Sequence, residues 1–179
     1  MDLLVILSII VIVAVVAFLL IRNRRTGQLR SKFGPEYDRT LDQAGHPSRA
    51  EAELREREKR VSRFDIRPLG AEQRDAFLGY WQRVQAEFVD DPHGAVTRAD
   101  ALLGDVMSAR GYPVADFETR SADLSVDHPS VVQNYRAGHS IAIAHARGEA
   151  DTEDLRQAMI HYRELFEELV DDRPAPTRH

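Results

Sequence analysis

Leu3-Leu4-Val5-Ile6-Leu7-Ser8-Ile9-Ile10-Val11-Ile12-Val13-Ala14-Val15-Val16-Ala17-Phe18-Leu19-Leu20-Ile21, followed at once by Arg22-Asn23-Arg24-Arg25, stands at the start of this 179-residue chain. The run carries no charge, and Ser8 is its single hydroxyl side chain. As a helix rising about 1.5 Å per residue it spans ~28 Å, the thickness of a bilayer's hydrocarbon core. A cleaved leader would need a basic segment before the run and small residues at its end. Only Met1 and Asp2 precede it, and it closes on Phe18-Leu19-Leu20-Ile21-Arg22. A soluble core helix would need a polar face, and none exists at any helical phase. The pattern therefore predicts an uncleaved transmembrane helix over 1–21, and no second run is long enough for another span.

Charge sets the expected orientation. Residues 22–33 hold Arg22, Arg24, Arg25, Arg30 and Lys32 and no acid. Retained cations mark the cytoplasmic side, so the C-terminal part is expected in the cytoplasm of a bacterial cell, beneath its inner (plasma) membrane. The partners this implies are the bilayer around residues 3–21 and anionic lipid headgroups at the basic collar, where each cation contributes about 1 kcal/mol. The rest is acidic: residues 34–70 balance eight acids against eight bases, residues 71–179 carry −9, and with the collar's +5 and Asp2 the formal charge is −5. That excludes a nucleic-acid partner, which would need a basic face. With no cysteine, disulfides, thiolate metal sites and thiol nucleophiles are excluded as well.

Beyond the collar, the pattern predicts an all-α chain. Gly34 to Leu41 offers at most a turn or two of helix before Gly45-His46-Pro47. Ser48 and Glu51 have the spacing of a capping box, and the helix from Ser48 to about Arg63 is mostly charged. With only Leu54, Val61 and Phe64 apolar, residues 22–69 read as a collar and a solvated arm docking along a narrow line. Four amphipathic helices follow. Phe77, Trp81, Val84 and Phe88 share one stripe over 71–89, and Val96, Ala99, Leu103 and Val106 another over 94–110. Val132, Tyr135, His139, Ala142 and Ala146 align over 129–147, as do Leu155, Met159, Tyr162, Phe166 and Leu169 over 152–170. Short connections pair them as two antiparallel hairpins, a four-helix bundle over 70–173. Between the hairpins an 18-residue connection, Gly111 to His128, is expected to wrap the core through Val114, Phe117, Leu124 and Val126. The tail, 174–179, is expected to be disordered.

That connection carries the densest set of reactive side chains. Asp116, Asp123, Asp127, His128, Arg136 and His139 are the candidate ligand-binding residues, with His128 or His139 as a general base oriented by an Asp. The plainer expectation is structural: Asp127-His128-Pro129 is a helix start with Asp127 as its cap, and His139 sits on an apolar stripe. No metal site is expected. His139 and His145 are six apart and diverge around a helix, and the acids lack the pattern of a calcium loop. No phosphate-cradling loop, nucleophile elbow or kinase set occurs, so no catalytic residue and no cofactor are assigned.

Phe33-Gly34-Pro35-Glu36-Tyr37-Asp38-Arg39, Arg110-Gly111-Tyr112-Pro113-Val114 and Asp127-His128-Pro129-Ser130-Val131-Val132-Gln133-Asn134-Tyr135-Arg136 resemble segments of a group of uncharacterised bacterial proteins with one N-terminal membrane helix. The resemblance implies the layout of anchor and helical domain and carries no activity. The sequence thus leads to a single-pass, membrane-anchored helical docking or scaffold protein, not an enzyme, with a protein partner. The alternative is a membrane-tethered hydrolase or small-ligand-binding domain using residues 111–139.

Overall fold

A computed structural model describes residues 2–113 and 115–171. The expected disordered tail and Val114 lie outside the described residues, as do the side chains at 2–6, 8–11, 15, 18, 21 and 22. Every regular element among the described residues is α-helical. The chain divides into two compact units, 1–56 and 57–179.

In the first unit, α1 runs unbroken from Asp2 to Phe33. It stops where Gly34 takes φ +51° and Pro35, lacking an amide hydrogen, begins α2 (Pro35–Ala44). Gly45, left-handed at φ +66°, ends α2 and donates its N–H to the Leu41 carbonyl at 2.9 Å. Then α3 (Pro47–Val61) begins, and the boundary between the units falls inside it. Among the described residues no helix is long and apolar enough to cross a membrane.

Two expectations for this region are corrected. The segment after Gly34 forms ten residues of helix, not a turn or two. Its buried face is Glu36, Tyr37 and Thr40, and two of these three are polar, which hides the helical period. The Thr40 hydroxyl is satisfied by the Glu36 carbonyl at 2.8 Å. The Ser48–Glu51 box also does not form: Ser48 Oγ lies 3.2 Å from His46 Nδ1. Glu51 instead accepts from the Thr26 hydroxyl at 2.6 Å and from Arg55 at 2.9 Å, tying α3 to α1. The arm is also less solvated than its composition implies, since Ala50 and Leu54 are fully buried and Glu51 nearly so.

The second unit takes the end of α3, then α4 (Ala71–Glu87), α5 (Pro92–Ala109), α6 (Phe117–Asp127), α7 (Val132–Ala146) and α8 (Thr152–Asp171). Asp91 caps α5 by accepting from the Gly94 N–H at 2.9 Å, and Asp151 caps α8 by accepting from Glu153 and Asp154. Helix α4 packs on α5, α7 on α8, and α8 against α5. The apolar stripes meet in one core, where Trp81 stacks on Phe166 with ring centroids 4.7 Å apart. At Gly111 φ is +99°, and a Cβ there would lie 2.1 Å from the Asp65 carbonyl oxygen, so only glycine fits. This close approach, with Arg67 N–H donating to the Arg110 carbonyl at 2.9 Å, fastens the segment before α4 to the end of α5.

The expected 18-residue connection is the largest correction, because residues 117–127 are helical. Its buried face holds Ser121, Asp123 and Ser125 beside Leu124, so no apolar period announces it. The serines are tolerated there because each hydroxyl donates to a backbone carbonyl of its own helix, Phe117 and Ala122 respectively. Correspondingly α7 begins at Val132 rather than Pro129.

Trp81 is 5 % exposed and stacked. Trp81→Ala is therefore expected to destabilise the second unit by about 3–5 kcal/mol, read as a lowered urea midpoint by far-ultraviolet circular dichroism. A midpoint equal to the wild type's would remove Trp81 from the core.

Candidate functional site

The six candidate residues do not converge; each has its own structural partner. Asp116 is the N-cap of α6, its carboxylate accepting from the Thr119 N–H at 3.0 Å and the Thr119 hydroxyl at 2.8 Å. Those two bonds hold its carboxyl below the ordinary carboxylate value. Asp123, buried on α6, accepts from Arg60 of α3 at 2.8 Å. Asp127 is not the cap of α7, where Val131 precedes the helix with no side-chain cap. It lies at the end of α6 and accepts from the Tyr112 hydroxyl at 2.9 Å. His128 is buried, its Nδ1 3.1 Å from Glu168 of α8. Arg136 pairs with Glu118 at 3.1 Å.

His139 stacks on Phe117, ring centroids 3.5 Å apart and planes within 10°. Burial lowers its pKa below the ordinary imidazole value; Arg120 acts in the same direction, while Asp100 and Glu118 oppose it. A half-buried imidazole lying flat on a phenyl ring is a packing group here.

In the collar, Arg24 and Arg25 are exposed. Arg30 is held within the first unit, 3.5 Å from Asp38 and 5.0 Å above the Tyr37 ring. Lys32 lies 5.8 Å from the Phe33 ring centroid. The Arg22 side chain lies outside the described residues.

A different constellation gathers what the sequence kept apart. Asp100 of α5, Arg120 of α6, Tyr135 of α7 and Tyr162 of α8 come together in the second unit. Both tyrosines are fully buried, with ring centroids 6.1 Å apart. The Arg120 guanidinium lies 5.9 Å from the Tyr135 ring centroid and 3.8 Å from Asp100 Oδ2, a loose ion pair. Tyr135 Oη, Tyr162 Oη, Asp100 Oδ1 and Arg120 Nε are all buried, and both phenols interact with the Asp100 carboxylate. Burial first, and then the Asp100 carboxylate, push both phenols well above the ordinary tyrosine value; Arg120 opposes this. Phenols so held donate hydrogen bonds and do not act as bases at neutral pH. Tyr135 and Tyr162 stand on the apolar stripes of their helices, where they read as packing. The available signal was chemical, since a buried tyrosine hydroxyl needs a partner.

Among the described residues no group of three or more His, Asp or Glu side chains is arranged to hold a metal ion. No protein-family model matches this chain, and no curated protein and no solved structure does.

The partners set an order of mutational effects. Asp123→Ala removes a buried acceptor from Arg60 and is expected to cost ~1–3 kcal/mol. Asp127→Ala, which loses the Tyr112 bond, costs ~0.5–1.5 kcal/mol. Asp116→Ala loses a cap and lowers the melting temperature by a few degrees. Thermal melts of the three variants check this, and an unchanged Asp123→Ala would contradict it.

The stack at His139 gives a pH dependence. Its folded-state pKa lies below the unfolded value, so its contribution is complete above the ordinary imidazole range and is lost as pH falls through the depressed value. His139→Phe keeps a ring against Phe117 and removes the titration. Urea midpoints between about pH 7.5 and 5 should fall less steeply for this variant than for wild type; equal slopes would assign the acid sensitivity elsewhere.

Proposed function

We propose that this chain is a single-pass protein of the bacterial inner membrane, anchored through residues 3–21. Its cytoplasmic part is a four-helix bundle of two antiparallel hairpins, α4–α5 and α7–α8, acting as a non-enzymatic docking or scaffold module for a protein partner. The observation that carries this reading is the uncharged run 3–21 with five cations and no acid directly after it. The described side chains of Leu7, Ile12, Val13, Val16, Leu19 and Leu20 support it, each being about half exposed or more. Leaving such a side chain in water forgoes about 1.5–3 kcal/mol relative to burial, and a lipid environment removes that cost. Arg24 and Arg25 stand where anionic headgroups would meet them. The non-enzymatic part is supported by the dispersal of Asp116, Asp123, Asp127, His128, Arg136 and His139 into separate structural contacts.

Three measurements test the parts of this reading. An alkaline wash should leave the chain in the membrane fraction. A fluorescent reporter that matures only in the cytoplasm, fused after His179, should be bright. Reversing Arg22, Arg24, Arg25, Arg30 and Lys32 to Glu should dim it. Release by the wash would remove the anchor, and a dark reporter would reverse the orientation. For docking, a proximity label at the C-terminus should enrich one protein over the same label placed after residue 33. Equal recovery from the two would refute the docking role.

A further inference from the structure

In the first unit, α2 doubles back on α1. The two helices meet at Gly34, and their contacts are symmetric about it: Arg30, four residues before, lies 3.5 Å from Asp38, four residues after. Arg30 also covers the Tyr37 ring at 5.0 Å. Glu51, near the start of α3, closes the circuit. It accepts from the Thr26 hydroxyl of α1 at 2.6 Å and interacts with the Tyr37 hydroxyl of α2.

These contacts set the position of the α2–α3 turn. At about 1.5 Å per helical residue, Gly34 lies ~12 Å beyond Thr26 on α1, and the ten residues of α2 carry the chain ~15 Å back. Approached from α3, Ser48 precedes Glu51 by ~5 Å of helix, while Arg24 precedes Thr26 by ~3 Å. Both routes bring the turn beside Arg24 and Arg25, at the end of the apolar run, although it is far beyond them in sequence. Gly45, His46, Pro47, Ser48 and Arg49 are all exposed there, and no acid occurs between Asp42 and Glu51. Arg24, Arg25 and Arg49 thus give this end three exposed cations against one exposed acid, Asp42. At the opposite end the basic groups are engaged within the unit: Arg30 with Asp38, Arg39 with buried Glu36, and Lys32 against the Phe33 ring.

We infer that the turn from Gly45 to Arg49 is a second membrane contact of this chain, seated on the anionic headgroups that surround the end of the anchor. The inference rests on the reading of residues 3–21 as an anchor, and it adds what that reading lacks: the first unit stands on the bilayer at two points instead of hanging from one. Arg49 supplies the planar fork that matches a phosphate group, and the Ser48 hydroxyl a further donor. Arg24 and Arg25 extend the same cationic surface from α1.

The test uses the full chain in nanodiscs that contain anionic lipid. Because the chain has no cysteine, Ser48→Cys, Ser31→Cys and Val13→Cys each carry a single fluorophore, all at exposed positions. A nickel-chelating lipid quenches labels at headgroup level. The label at 48 should be quenched roughly twice as strongly as that at 31, which stands ~10 Å beyond Arg24 on α1. A chain that simply extends from the membrane gives the reverse order, since 31 is nearer in sequence, so equal or reversed quenching overturns the inference. Arg49→Ala should lower the ratio of docked to undocked turn roughly fivefold, read as quenching at 48 falling toward the level at 31. Quenching unchanged by Arg49→Ala and by exchange to zwitterionic lipid overturns the assignment to anionic headgroups. A quencher carried in the acyl chains, read at 13, reports the anchor separately. Quenching at 13 without the excess at 48 removes the second contact and leaves the anchor; no quenching at 13 removes the anchor and this inference with it.

Discussion

Burial of one stripe on α8 is the constraint on which the second unit depends. Leu155, Ala158, Tyr162, Leu165, Phe166 and Leu169 recur at spacings of three and four and are all buried. Helices α4, α5 and α7 each lie against α8. A stripe this continuous is wider than one neighbouring helix covers, so three come to it. Phe166 fixes α4 through the stack on Trp81, and Tyr162 fixes α7 through Gly138, the point where a side chain would forbid the approach. The same stripe carries the tyrosine hydroxyl into the core. Packing and the polar site therefore share one origin.

Charged groups then secure the ends of what the apolar stripe aligns. Arg110, buried at the end of α5, donates to the Leu169 carbonyl at 3.1 Å, one of the carbonyls a helix leaves unpaired in its last turn. Arg74 and Asp171 form an exposed ion pair near the same end of α8. Arg57 and Arg60 of α3 reach Ser125 and Asp123 on α6 at 3.4 and 2.8 Å. Of these, only the exposed Arg74–Asp171 and the half-exposed Arg60 with buried Asp123 are ion pairs, and such pairs contribute modestly to net stability. Four of the arginines that crowd the sequence are thereby engaged within the second unit.

How much of this was legible in the sequence follows from where the polar groups lie. Helices α4, α5 and α8 could be read within a few residues, since their apolar positions keep the helical period and their ends carry Asp91, Gly111 and Asp151. Helix α6 could not, because Ser121, Asp123 and Ser125 occupy its buried face and are satisfied by contacts that no period reveals. Helix α2 was shortened for the same reason at Glu36 and Thr40. The candidate residues were chosen for their chemistry and proximity in sequence. In three dimensions that proximity dispersed, because successive residues of a helix point in different directions. The cluster that did form joins Asp100 to Tyr162, which no local pattern connects.

A membrane-held docking module needs less from its surface than a soluble one. Confinement to the bilayer raises the effective concentration of any partner held in the same membrane, so contacts too weak to persist in solution suffice. On the proposed reading, the chain's polar groups are free to define its own fold instead of a deep ligand cleft. Asp116, Asp123, Asp127 and His128 are accordingly spent on a helix cap, an ion pair and hydrogen bonds to neighbouring side chains. The Asp100, Arg120, Tyr135 and Tyr162 cluster follows the same rule, since Asp100 pairs with Arg120 and holds both phenols inside the core.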